Sequence, residues 1–238
     1  MKNFKFTAVA LAVLVILSGC GATNTTKGGL IGGGGGAALG ALVGNLIGKG
    51  AGHESRGTII GTAVGAAVGT GAGLLIGKKM DKAKAAAEAV ANAQVESVQD
   101  NNGLEAVKVT FDNGILFQVG KSNLQAGAQS SLKQFAQNVL NVYTDCDVSI
   151  NGFASSDGSD ATNLTLSQNR ADAVKNYLTG TCGVSSSQIK SSTGYGEDPQ
   201  YLIYDANGKE NMAASRRVEV YLYASKAMID AANAGTLQ

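Results

Sequence analysis

A single proline, a single histidine (His53) and no tryptophan stand in 238 residues. One histidine excludes most metal-ligand clusters, and every Ser-His-Asp or Cys-His relay whose histidine must sit in a folded core. Charged residues are only 16% and aromatics only 5%. The formal net charge is +1, with no basic patch of the size a nucleic acid would require. These absences disfavour an enzyme, and no metal, cofactor or nucleic-acid partner is expected. Glycine is the opposite case: there are 33, most of them in the first third of the chain. The average composition therefore hides two different materials.

Lys2 and Lys5 precede an apolar run from Phe6 to Leu17, which ends in Leu17-Ser18-Gly19-Cys20. A basic start, a short apolar stretch and small residues before a cleavage point predict a secretion signal over residues 1–19. The run is too short for a membrane-spanning helix, which needs about 20 apolar residues. Its ending resembles the lipobox of bacterial lipoproteins, which implies that Cys20 is acylated, with palmitate among its lipids, and becomes the mature N-terminus. Gly21 after that cysteine implies, by the same resemblance, the outer membrane. Two thiols then remain, Cys146 and Cys182. In an oxidising periplasm a lone pair tends to join, so a Cys146–Cys182 disulfide is expected in preference to two buried free cysteines.

After a short linker (20–27), glycines recur every fourth residue at 28, 32, 36, 40, 44, 48 and 52, then at 57, 61, 65, 69, 73 and 77. Leu, Ile, Val and Ala fill the spaces, and no charge occurs from Gly28 to Gly48 or from Gly57 to Gly77. Each span is roughly 30 Å long as a helix. Glycine costs ~1 kcal/mol per helical position relative to alanine, so an isolated, water-exposed helix of this kind would melt. Lipid and close packing along a small-residue groove compensate. A disordered linker would carry Ser and charge in place of regularly interposed Leu, Ile and Val. The segment 28–78 resembles a glycine-zipper helical hairpin, with His53 and Glu54 in a hydrated turn, and a homo-oligomer could form through it. Lys78, Lys79 and Lys82 then lead into an Ala-rich stretch, Ala83 to Val98, expected to be a helical spacer arm within 79–103.

From Leu104 the texture changes. Ala106 to Phe111 alternates like a strand, and Asp112-Asn113-Gly114 predicts a turn returning through Ile115 to Val119. Helical spacing marks Gly127 to Tyr143 and Leu166 to Leu178, and strands are expected at Asp147 to Phe153, near Lys190 to Thr193, and at Arg217 to Tyr223. This predicts an α+β (α/β) sandwich, β-α-β-α-β-β, with helices on one face of a mixed sheet. Residues 225–238 are expected to be a tail. Gly120-Lys121-Ser122 after a strand falls short of a phosphate loop: its first glycine would be residue 115, which is Ile, so nucleotide binding is rejected.

The stretch NGFASSDGSDATNLTLSQNRADAV (151–174), then Gly194-Tyr195-Gly196-Glu197 with Pro199, and Ser215-Arg216-Arg217-Val218-Glu219, together resemble the OmpA-like C-terminal domain over about residues 104–224. With the lipobox and the glycine zipper, the combination is similar to YiaD-type outer-membrane lipoproteins. The resemblance implies non-covalent binding of peptidoglycan, with an Asp on the amine of the diaminopimelate arm and an Arg on its carboxylate. One anion and one bidentate cation at fixed separation suit a zwitterionic arm. Arg170 occupies the Arg position. Ser155 stands where the family has its Asp, and Asp157 two residues later is the preferred anion, with Asp160 a weaker substitute. Asn163 and Arg216 complete the implied peptidoglycan set. The implied fold also starts a strand at Cys146 and places Cys182 after the returning helix, within disulfide range.

The resulting expectation is a non-catalytic tether. Outer-membrane lipid holds Cys20, the hairpin and spacer follow, and a periplasmic C-terminal domain grips peptidoglycan. The alternative is an envelope assembly or interaction protein that oligomerises through the hairpin and carries a degenerate wall site.

Overall fold

The computed structural model describes residues 68–238. The secretion signal, Cys20, the linker and the hairpin up to residue 67 lie outside the described residues. Five strands form one mixed sheet: β1 (Ala93–Gln99), β2 (Glu105–Asp112), β3 (Cys146–Phe153), β4 (Ile189–Gly194) and β5 (Arg217–Ala224), in the order β1-β2-β5-β3-β4. Only β3 and β4 run parallel. Parallel neighbours need a long crossover, and a 21-residue helix supplies it, α4 (Asp160–Gly180). The other α-helices among the described residues are α1 (Thr70–Glu88), a single turn α2 (Asn113–Leu116), α3 (Ala126–Phe135, continued by a π-helical turn Ala136–Leu140), α5 (Met212–Ser215) and α6 (Lys226–Asn233).

Strand alternation sorts the side chains into two faces. Val107, Val109 and Phe111 of β2, Val148 and Ile150 of β3, and Val218, Val220 and Leu222 of β5 join the helices in one apolar core. The opposite face is smaller and aromatic, with Ala106, Phe153, Tyr195, Tyr221 and Tyr223. Phe153 and Tyr195 stack at 5.3 Å, and Tyr201 meets both edge-on. The α+β architecture with helices on one face is thus the observed one.

Four expectations are corrected. The chain after Asp112 does not return as a strand over 115–119. The Asp112 carboxylate instead accepts the Gly114 N–H at 2.6 Å and starts the turn α2, while β2 pairs with β1 and β5. The spacer over 79–103 is likewise no arm. Ile76, Met80, Ala83 and Ala87 of α1 are fully buried in the main core, Gly73 and Gly77 lie buried on the same helix, and the chain from Ala93 is a strand. Steps of four, three and four residues place those side chains on one helical stripe, and the sheet covers it. The tail is helical too. Ser225 caps α6 by accepting the Met228 N–H at 3.1 Å, and Met228, Ile229 and Ala232 are buried. Finally, Cys146 and Cys182 are both free thiols, so the expected disulfide is not formed. The Cys182 N–H donates to the Tyr177 carbonyl at 3.1 Å, and its own carbonyl accepts from Asn141 Nδ2 at 3.1 Å, which hold it at the end of α4. Burial, reinforced by the Asp145 carboxylate, pushes the Cys146 thiol far above its usual range. Among the described residues, no helix is long and apolar enough to cross a membrane.

Candidate functional site

The seat of α4 on the sheet fixes everything that follows. A Cβ at Gly152 would run into the Ser167 carbonyl, and one at Gly194 into the backbone of Gln168. Only glycine lets the helix lie this close. Polar contacts fix its register. The Gly194 N–H donates to Gln168 Oε1 at 2.8 Å, and the Gly196 N–H to Ser167 Oγ at 2.8 Å. Arg170, one turn further on, is thereby carried inside the protein.

Arg170 is 2% exposed. Its Nε donates to the Lys121 carbonyl at 3.0 Å, and its guanidinium lies 5.4 Å from the Phe117 ring centroid, a cation-over-ring contact. Its Nη1 is buried with no hydrogen-bond partner in the protein. Burial, then the neighbouring Arg216 cation, lower its pKa to about 10, against the pull of Asp157. The group thus stays charged at neutral pH. A desolvated, half-paired guanidinium is costly unless an anion meets it.

The loop between β3 and α4 carries a carboxylate, Asp157, which pairs with Arg216. The Ala154 N–H donates to the Gly196 carbonyl at 2.7 Å, and Gly158 turns the chain at φ +119°. Asn163, buried in the first turns of α4, directs Nδ2 at the carbonyls of Ser155 (3.1 Å) and Asp157 (3.0 Å) and at the Glu197 carboxylate. Asn163 therefore shapes the loop. Ser155, in the place expected of an acid, is buried; its hydroxyl donates to Asp157 Oδ1 and accepts from Arg216 Nη1 at 3.1 Å. Arg216 Nη1 lies 3.7 Å from Asp157 Oδ1. The Ser155 hydroxyl holds the Asp157 carboxyl below its ordinary range, with Arg216 and Arg170 helping.

All five residues read from the motif thus meet in one cluster of two guanidinium groups, one carboxylate and the two side chains that set the loop. Strand alternation separates the consecutive arginines. Arg217 turns to the aromatic face, where it pairs with Glu219 at 2.7 Å and lies 4.1 Å over the Phe153 ring. Several contributors had no sequence signal. Phe117 and the Lys121 carbonyl hold Arg170 from a distant loop. Glu210 accepts the Ser156 N–H at 3.2 Å, on a segment where residues 204 and 210 form an isolated antiparallel bridge. Among the described residues, no group of His, Cys, Asp or Glu is placed to hold a metal. Such a cluster can bind a small group bearing both charges.

Comparison with known proteins bears on both parts of the chain. Residues 116–216 match the OmpA family, and residues 1–81 match the YMGG-like Gly-zipper. Outer membrane protein P5 of Haemophilus influenzae is 40% identical over 95 residues, covering 39% of this chain and 26% of that protein. The probable lipoprotein YiaD of Escherichia coli is 32% identical over 114 residues, 48% of this chain and 50% of that protein. The matches thus span half or less of the length of these relatives. Among solved structures, the cell wall anchor of the T6SS from Pseudomonas aeruginosa aligns with 61% of this chain and 97% of its own, at 22% identity and a TM-score of 0.47.

Proposed function

Because the chain carries an OmpA family domain at residues 116–216 behind a Gly-zipper segment, we propose that it is a non-catalytic lipoprotein of the outer membrane whose C-terminal domain holds peptidoglycan from the periplasm. Cys20 carries the lipid, in keeping with the lipobox and with a relative described as a probable lipoprotein. In the wall, the ligand is the diaminopimelate arm of the stem peptide. Arg170 takes the carboxylate and Asp157 takes the ammonium, with the Ser155 hydroxyl first and Arg216 after it keeping Asp157 ionised, and Asn163 holding its loop.

One observation carries this reading: the buried Arg170 Nη1 has no protein partner, and the Asp157 carboxylate lies close enough to act on its charge. A charge-assisted bond to an incoming carboxylate would satisfy it. The displacement of the acid from position 155 to 157 leaves the site intact, since the Ser155 hydroxyl ties the carboxylate to Arg216. This favours a working wall site over a degenerate one.

The test is co-sedimentation of the full chain, in detergent, with purified sacculi. Hydrogen bonds to charged groups contribute ~1.5–3 kcal/mol, so Arg170→Ala should weaken retention roughly 10- to 150-fold. Unchanged retention of that variant would refute the site.

A further inference from the structure

A trans peptide points its C=O and its N–H to opposite sides, so a peptide plane held at both ends does not rotate. The plane between Ser155 and Ser156 is held in this way. On one side the Ser155 carbonyl accepts from Asn163 Nδ2 at 3.1 Å. On the other the Ser156 N–H donates to Glu210 Oε1 at 3.2 Å, and the Ser156 hydroxyl donates to Glu210 Oε2 at 2.5 Å. Asn163 belongs to α4, which carries Arg170, whereas Glu210 stands in the chain that leads to Arg216. The clamp therefore ties both arginine-bearing segments to the loop of Asp157.

Glu210 is itself well fastened. It closes an antiparallel bridge with Tyr204. At the tip of that hairpin the Asp205 carboxylate accepts the N–H groups of Asn207 (2.9 Å) and Lys209 (3.0 Å), and Gly208 turns the chain at φ +75°. Next to Glu210, the Asn211 N–H donates to the Ile203 carbonyl at 2.7 Å, and its side chain caps α5, the turn that ends just before Arg216. Ser156 is exposed, so the clamp buries little and its effect is on orientation. Resting on the reading above, we propose that Glu210 is a positioning residue: its carboxylate fixes the 155–156 peptide so that the Ser155 hydroxyl stands between Asp157 and Arg216, and the wall site is shaped before the ligand arrives. A loop that had to be ordered on binding would cost affinity.

A carboxyl-resolved NMR titration of the full chain in detergent tests the clamp with no ligand present. Deleting a negative charge near Asp157 would by itself lower the pKa of its carboxyl, whereas loosening its contacts with Ser155 and Arg216 would raise it. Glu210→Ala should raise it toward the ordinary aspartate range and weaken retention on sacculi roughly three- to tenfold. Glu210→Gln keeps an acceptor and loses the charge, so it should be retained as wild type is, with the Asp157 titration unchanged or lower. An Asp157 titration that stays or falls in the alanine variant, retention of that variant equal to wild type, or a glutamine variant as weak as the alanine one overturns the proposal. If wild type itself is not retained by sacculi, the wall reading fails, and the Asp157 titration still decides the clamp.

Discussion

The Ser155 hydroxyl donates to Asp157 and accepts from Arg216, so a neutral side chain in an acid's place tunes the acid two residues away. A carboxyl whose pKa is depressed on folding contributes stability above its unfolded value. That contribution is lost as pH falls through the lower, folded value. Wall binding should follow the same window, persisting at pH 5 and failing only below the usual aspartate range near ~3.9. Removing the hydroxyl with Ser155→Ala should move that acid limb upward, and Asp157→Asn should abolish it. Sacculus co-sedimentation between pH 2.5 and 6 reads all three, and identical profiles for wild type and Ser155→Ala would contradict the assigned role. That Arg170, Asp157, Ser155, Asn163 and Arg216 lie close together was legible from one motif, although Ser155 stands in the acid's position and Asp157 two residues on. Lys121 acts through its carbonyl and Phe117 through its ring. Neither leaves a mark in composition or spacing.

Among the elements, α1 departs most from what its sequence suggests. Alanine gives a strong helix signal and a weak facial one, so from sequence Ala72 and Ile76 read as part of the glycine-zipper hairpin and Met80, Ala83 and Ala87 as part of a spacer arm. Strand β1 is equally quiet: Ala93 and Val95 keep the two-residue period of a half-buried strand, but Val98 breaks it. The strands of the main core were visible because β2, β3 and β5 each bury alternate Val, Ile, Leu or Phe. Burial of Met80 makes a firm prediction. Met80→Ala should destabilise the domain by ~2–5 kcal/mol, the cost of a core truncation. Chemical denaturation measures it, and a change within ~0.5 kcal/mol, typical of surface sites, would restore the spacer reading.

At the scale of the whole molecule, grip and anchorage are separable. The proposed wall site draws on residues between 117 and 216, and the proposed acyl group sits on Cys20. Cys20→Ser should therefore abolish metabolic palmitate labelling while the purified variant sediments with sacculi as wild type does. Loss of sacculus binding in that variant would show that the two ends depend on each other.

The docking of α1 also limits how far such a molecule can reach. Nineteen residues of helix measure roughly 28 Å at ~1.5 Å per residue, yet with Ile76 and Met80 inside the core this length lies alongside the sheet and contributes no clearance between bilayer and wall. In the proposed tether, the stand-off would come from residues ahead of Val68. Lengthening the chain there would change the gap the molecule can bridge, whereas lengthening it between Glu88 and Ala93 would only enlarge a surface turn.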